Sequence, residues 1–102
     1  MREDRQRLDK WLWFARFAKT RTLAAKLVAG GFVRVNGQRV ENAAKAVAEG
    51  DVLTIAVHRT TAVVRVEDLG SRRGPAPEAR LLYTDLGQGS HPEPLAGEEA
   101  DR

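Results

Sequence analysis

The sequence predicts an α+β fold in which two short N-terminal helices pack with a small, mainly antiparallel β-sheet around one core. Three observations carry this expectation. Apolar residues recur at helical spacing between positions 8 and 28, the pair Gly30-Gly31 closes that region, and beyond it the apolar period drops to two.

Leu8, Trp11, Leu12 and Ala15 stand at i, i+3, i+4 and i+7, which lays one apolar stripe along a helix expected over about Arg7 to Phe17. Thr20 precedes Leu23, Ala24, Leu27 and Val28, so its hydroxyl is placed to cap a second helix, and Gly30-Gly31 can supply the positive φ that ends it. Val33 and Val35 alternate with Arg34, followed by Asn36-Gly37 and then Gln38, Arg39 and Val40. Asn-Gly between β-prone runs predicts a type I′ hairpin, because both central residues must take positive φ. Glu49-Gly50-Asp51 marks a further turn before Leu53, Ile55 and Val57; Ala62, Val64 and Val66 then alternate in what reads as the last strand. The run Ser71-Arg72-Arg73-Gly74-Pro75 turns the chain again, and a short helix is expected from near Pro77 to near Tyr83. From Gly87 onward Gly, Pro and Glu dominate, so residues 1–86 are expected to form a single domain and 87–102 a flexible acidic tail.

With 102 residues, 42% hydrophobic and 30% charged, the chain is sized for one modest core, with no room for a catalytic domain beside a binding module. It contains no cysteine, which removes disulfides, Cys-based zinc sites and thiol nucleophiles. The opening Arg2-Glu3-Asp4-Arg5 is unlike a signal peptide, and no run approaches the about 20 apolar residues that cross a bilayer. A cytoplasmic protein with no membrane partner is the expectation. The formal charge of +3 conceals a separation: residues 1–45 hold eleven Lys or Arg against four Asp or Glu, and residues 46–102 hold six against ten. A basic half of this kind is the footprint of a polyanion partner. A solvated basic face produces the same asymmetry, so charge alone does not decide between them.

The candidate contacts lie in that basic half. Lys19, Thr20 and Arg21 fall at the start of the second helix, where free backbone N–H groups and the helix dipole add to side-chain charge in holding a phosphate. Arg7, Lys10 and Arg16 are placed on the first helix and Lys26 on the second, so the pair can present one positive surface. Trp13 and Phe17 lie opposite the apolar stripe; they either stack on unpaired bases or pack under Leu81, Leu82 and Tyr83. Asp9 is read as an ion-pair partner of Arg7 or Arg5. His58 and His91, the only histidines, have no carboxylate or nucleophile at motif spacing. No catalytic residue, metal-ligand set or cofactor is therefore expected.

Arg7-Leu8-Asp9-Lys10-Trp11-Leu12, then Lys19-Thr20-Arg21 with Ala24, then Gly30-Gly31-Phe32-Val33-Arg34-Val35-Asn36-Gly37 and Gly50-Asp51, together resemble the S4-type RNA-binding domain over about residues 7–57. That domain class is named after a protein of the small ribosomal subunit. The later run Arg72-Arg73-Gly74-Pro75-Ala76-Pro77-Glu78-Ala79 with Leu81-Leu82-Tyr83 resembles the C-terminal extension of the bacterial heat-shock protein 15 family. The resemblance implies an S4-like fold and a non-enzymatic protein that binds rRNA of the large ribosomal subunit. It further implies recycling, after heat or other stress, of subunits that still carry a nascent chain on tRNA. Large-subunit rRNA is the implied partner, peptidyl-tRNA a second candidate, and a monomer the expected state. By position, Arg7, Lys10, Lys19 and Arg21 match the family's basic RNA-facing positions, while Leu8, Asp9 and Ala24 match residues that shape the two-helix unit. Ala43-Ala44-Lys45 departs from the proline common in many S4-type domains, which leaves the path of the second hairpin open, and the acidic tail lacks a basic ending found in some relatives. Two alternatives remain at this stage: a ribosome quality-control factor of the same domain class, or a general nucleic-acid binder that also takes DNA. Against base reading in a DNA groove, the second helix offers Leu, Ala and Val with Lys26 as its main polar exception.

Overall fold

The structure is a computed structural model and describes residues 4–57 and 60–88. Its elements are β1 Gln6–Arg7, α1 Leu8–Phe14, α2 Arg21–Ala29, β2 Val33–Val35, β3 Gln38–Val40, β4 Ala46–Val47, β5 Val52–Val57, β6 Thr60–Val66, α3 Ala76–Ala79 with a 3-10 turn at Arg80–Leu82, and β7 Tyr83–Gln88. Every strand pairing is antiparallel: β1 joins β4, and the main sheet runs β3-β2-β5-β6-β7. The α+β expectation therefore holds. Leu8, Leu12 and Val28 of the helices meet Val33, Leu53, Ile55, Val64 and Val66 of the sheet in one core. Each such fully buried aliphatic contributes about 1.5–3 kcal/mol.

The apolar stripe of α1 is buried as its spacing requires, but the helix stops three residues short of Phe17. The Phe17 N–H donates to the Leu12 carbonyl at 2.9 Å and the Arg16 N–H to the Trp13 carbonyl at 3.1 Å, with Arg16 at φ 68°. This six-to-one, five-to-two pattern is a Schellman motif, which satisfies the last carbonyls and reverses the chain. Phe17 folds back to stack on Trp11, with ring centroids 6.1 Å apart. Arg16 thus lies beyond α1 rather than on it, and Arg7 lies in β1 ahead of it.

The second helix ends in the same way. Phe32 N–H reaches the Leu27 carbonyl at 3.2 Å and Gly31 N–H the Val28 carbonyl at 2.9 Å, with Gly31 at φ 84°. At its start, Thr20 Oγ1 accepts a hydrogen bond from Leu23 N–H at 3.0 Å, the cap its sequence position predicts. Of its six apolar residues only Ala24 and Val28 are buried, and Leu23 is 47% exposed.

No side chain caps α1. Its first N–H groups, those of Leu8 and Asp9, donate to the carbonyls of Lys45 at 2.8 Å and Ala43 at 3.2 Å. The segment without the proline is thereby fixed beside the helix start, and Asn42 Oδ1 shapes its turn by accepting from Ala44 N–H at 2.9 Å. The adjoining pairing sets Gln6 opposite Val47 and Arg7 opposite Ala46.

Asn36 at φ 51° and Gly37 at φ 86° form the expected type I′ turn, with Val35 opposite Gln38. Asn36 also accepts from Val52 N–H at 2.9 Å and donates to Asp51 at 3.1 Å, which ties the hairpin to the start of β5.

The C-terminal segment differs most from expectation. The short helix and its 3-10 turn end at Leu82, and Tyr83 opens a further strand, so β6 is not the last. The β7 strand runs from Tyr83 opposite Val66 to Gln88 opposite Ala62, with a bulge between Val63 and Val64. Tyr83-Thr84-Asp85-Leu86-Gly87-Gln88 reads poorly as a strand because an edge position lets Thr84 to Gly87 remain exposed. Two residues of the expected tail thus belong to the sheet; the rest of that tail, His58 and His91 lie outside the described residues.

Segment 68–74 is laced to the N-terminal unit by side chains. Trp11 Nε1 donates to the Asp68 carbonyl at 2.9 Å, Gln6 exchanges two bonds with the Gly70 backbone at 2.8 and 3.1 Å, and Arg16 Nε donates to the Gly74 carbonyl at 2.7 Å.

A side chain added at Gly37 would meet nothing within 4 Å, so its replacement isolates the backbone requirement. We expect Gly37→Val to lower unfolding free energy by about 1–3 kcal/mol in urea titrations. Gly37→Asn should lose much less, because Asn tolerates positive φ. Equal losses for both variants would contradict the type I′ assignment.

Candidate nucleic-acid interface

Asp9 organises the first part of the site. The residue is 3% exposed at the start of α1, and its carboxylate receives a two-pronged bond from Arg7: Nε to Oδ1 at 3.1 Å and Nη2 to Oδ2 at 3.2 Å. Arg21, the first residue of α2, brings its Nε within 3.7 Å of the same Oδ2. The arginine side chains remain 50% and 43% exposed. One buried carboxylate therefore holds the Arg7 guanidinium by two hydrogen bonds and draws Arg21 toward it by charge, and the cluster keeps a net positive charge. Planar guanidinium donors in that setting suit phosphate oxygens. Asp9 as partner of Arg7 was legible in the sequence; the contribution of Arg21 was not.

The second part is a groove of about 670 Å³ beside the α1–α2 turn. Phe17, Leu23, Leu27 and Phe32 supply its apolar surface, and Arg16, Lys19, Lys26 and Arg73 its cations. Both helix-ending motifs deliver an aromatic residue here. Phe17 is held at 5.0 Å from Tyr83 and stacked on Trp11, whereas Phe32 lies against Gly30. The Arg73 guanidinium donates from Nη2 to the Ala18 carbonyl at 3.4 Å, while its Nε is buried without a partner among the described residues.

The structure thus divides the seven sequence candidates. Arg7 and Arg21 meet at Asp9; Arg16, Lys19 and Lys26 line the groove. Thr20 is committed to its cap between Lys19 and Arg21. The Lys10 backbone N–H bonds the Asp9 carboxylate, but its side chain joins neither cluster, the ammonium standing 5.9 Å over the Phe14 ring. Phe17 is both core and groove, so it packs against Tyr83 as one expectation held while keeping a face on the surface. Trp13 stacks on Phe14 at 5.3 Å and is half-buried against the core, and Leu81 is 73% exposed. Sequence reasoning missed Arg73, Leu23, Leu27 and Phe32 as site residues. The i, i+4 pair Leu23 and Leu27, the first exposed and the second half-buried, carries the same periodicity as a core stripe, and Arg73 is distant in sequence. Among the described residues no group of three or more His, Cys, Asp or Glu could hold a metal ion, and no helix is long and apolar enough to cross a membrane.

Comparison with known proteins places this geometry. The S4 domain family matches residues 6–53. Heat shock protein 15 of Escherichia coli strain K12 is 44% identical over 82 residues, which cover 80% of this chain and 61% of that protein. The heat shock protein 15 homolog of Aeromonas salmonicida is 46% identical over 79 residues, or 78% and 59% of the two lengths. The chain thus spans about three fifths of these curated relatives. A trimeric structure of heat shock protein 15 from Vibrio cholerae superposes with a TM-score of 0.76 at 43% identity, covering 80% of this chain and 82% of that one.

Burial pushes the Asp9 carboxyl up, but hydrogen bonds from Arg7, the charges of Arg7 and Arg21 and the Lys10 backbone N–H outweigh it and hold the group below its ordinary value. A lowered folded-state value contributes stability that is present above the unfolded value of about 3.9 and is lost as pH falls through the folded one. Glu67, held down by Thr84 and Arg65, and Glu78, held down by Arg72, titrate in the same acid window, so the variant must be compared with its parent. We expect Asp9→Asn to melt below the parent at neutral pH and the gap to narrow as both are acidified below about pH 4. Thermal unfolding followed by circular dichroism measures this; a gap of constant size would show that the ion pairs contribute no pH-dependent stability.

Proposed function

We propose, from the premise that the chain belongs to the heat shock protein 15 family, that it binds structured RNA without catalysing a reaction on it, with rRNA of the large ribosomal subunit as its target. The observation that carries this reading is the continuous basic surface around the start of α2. There the Arg7–Asp9–Arg21 cluster adjoins the cations of the groove through consecutive residues Lys19, Thr20 and Arg21.

The physical argument concerns fixed charge. A-form RNA exposes phosphates and 2′-hydroxyls on a wide, shallow minor groove and is recognised largely by shape. A surface whose guanidinium groups are already oriented loses little side-chain freedom on binding such a target. Asp9 performs that orientation for Arg7 and Arg21, so its role is positioning and the two arginines make the contacts. Lys19, Lys26 and Arg16 extend the charge along the same side. The role supported by family resemblance is the recycling of stalled large subunits carrying a nascent chain on tRNA under heat or other stress. Peptidyl-tRNA is then a second polyanion within reach of the same surface.

Counterion release supplies the test. If about five phosphates are neutralised, log affinity should fall against log salt with a slope near −4, a loss of roughly 10² to 10³ between about 50 and 200 mM salt. Arg21→Ala should weaken large-subunit binding and make the slope shallower by about one unit. Cosedimentation with purified subunits and titration of rRNA fragments at several salt concentrations read this, with circular dichroism confirming the fold. A folded Arg7→Ala, Arg21→Ala double variant that bound as tightly as its parent would exclude this surface as the interface.

A further inference from the structure

We propose that the groove beside the α1–α2 turn receives one unpaired nucleobase of the bound RNA, with the base against Phe17 and Phe32 and its flanking phosphates against the Lys19, Lys26 and Arg73 rim. The proposal rests on the RNA-binding reading and adds to it a subsite of different chemistry. The Asp9 cluster offers only charge and donors, which a continuous duplex can satisfy. The groove offers an aromatic and aliphatic concavity that a duplex cannot enter, because its bases are paired and stacked on one another.

Three features favour a nucleobase. The first is charge complementarity: among the described residues the cavity lining combines apolar surface with four cations and no carboxylate, which complements a flat π face joined to phosphates. Its volume of about 670 Å³ lies within the 300–1,000 Å³ typical of small-ligand sites and accommodates one nucleotide.

The second feature is preorganisation. Phe17 is clamped between Trp11 at 6.1 Å and Tyr83 at 5.0 Å. Phe32 packs so closely on Gly30 that a Cβ there would come within 2.7 Å of the ring. Gly30 has φ −80°, so its lack of a side chain answers to the ring's position and not to backbone conformation. Both ring positions thus exist before any ligand arrives, which reduces the ordering cost of stacking.

The third feature is the donor capacity of Arg73. Its Nε is buried out of a ligand's reach, but its Nη2 bond to Ala18 is long at 3.4 Å and the residue lines the groove. A guanidinium whose terminal donor is loosely held at an aromatic groove can serve a base edge or a phosphate. An acidic peptide bearing one large apolar side chain would share part of this chemistry, and the test distinguishes it.

The experiment uses the full chain and two hairpin RNAs with the same stem, one fully paired and one carrying a single bulged 2-aminopurine. The bulged RNA should bind about tenfold tighter, and its fluorescence should change on binding as the base leaves water for the groove. Phe32→Leu should abolish most of that preference, read as the ratio of the two affinities, and Arg73→Gln should reduce it severalfold. Arg21→Ala should weaken both RNAs to the same degree. Equal binding of the two hairpins, with loss of both in Arg21→Ala, would overturn the base subsite and leave the RNA-binding reading intact. Failure to bind either hairpin or ribosomal RNA would overturn that reading and the subsite with it. A preference that survives in both folded Phe32→Leu and Arg73→Gln, or a groove occupied by an acidic Leu-containing peptide while both RNAs bind equally, would also exclude the nucleobase.

Discussion

The buried indole of Trp11 is the constraint on which the two ends of the chain depend. Its ring is fully buried, and its Nε1–H has left water for the Asp68 carbonyl at 2.9 Å. An indole donor buried without an acceptor costs about 1–3 kcal/mol, so the core of α1 and the segment after β6 are coupled: neither packs well without the other. Phe17 stacks on one side of the same ring and Tyr83 meets it edge-on at 6.3 Å. The geometry of the helix end, the seat of β7 and the shape of the groove therefore share one aromatic cluster. The Gln6–Gly70 and Arg16–Gly74 bonds repeat this coupling along the seam. The segment after β6 is accordingly part of the domain's architecture, and it carries Arg73 to the groove.

Around Asp9 the balance is different. Desolvating a complete ion pair is expensive, and such pairs contribute little when both partners are buried. Here the burial falls mainly on the carboxylate, which is small, accepts hydrogen bonds from Arg7 and the Lys10 backbone N–H and lies in the field of Arg21. The guanidinium groups keep about half their surface in water, which lessens their desolvation and leaves them able to meet an incoming phosphate. One negative charge restrains two positive ones, so the arrangement orders the cations without neutralising the surface.

Much of this fold is written in short-range pattern. The stripe Leu8, Trp11, Leu12 and Ala15, the Thr20 cap, the Asn36-Gly37 turn and the alternating strands are each set by local periodicity or by a residue with special backbone freedom, so they can be read directly. The parts that cannot be read are those set by distant partners. The two-residue pairing of β1 with β4 exists because the first turn of α1 needs acceptors, which Lys45 and Ala43 supply. The β7 strand has weak β propensity and forms because β6 presents an open edge. The site divides along the same line. The basic residues near the α2 start were visible as a charge cluster, whereas the groove arises from residues whose sequence signal is that of core, and from Arg73 more than forty positions beyond Lys26.

The paired helix endings offer a comparison within one molecule. Both α1 and α2 close in a Schellman motif followed by a phenylalanine that turns back, and both phenylalanines reach the groove. In α2 the left-handed position is Gly31, as backbone sterics favour; in α1 it is Arg16 at φ 68°. A non-glycine residue there costs about 1–2 kcal/mol relative to glycine. The Arg16 Nε bond to Gly74 and the Phe17–Trp11 stack offset that cost, but a glycine at 16 would permit the same stack. What glycine cannot supply is a guanidinium that anchors segment 68–74 with one nitrogen and lines the groove with its remaining donors. The strained backbone at Arg16 is thus the place where backbone sterics and side-chain contacts make opposing demands on one residue, and the residue present is the one that serves both the seam and the groove.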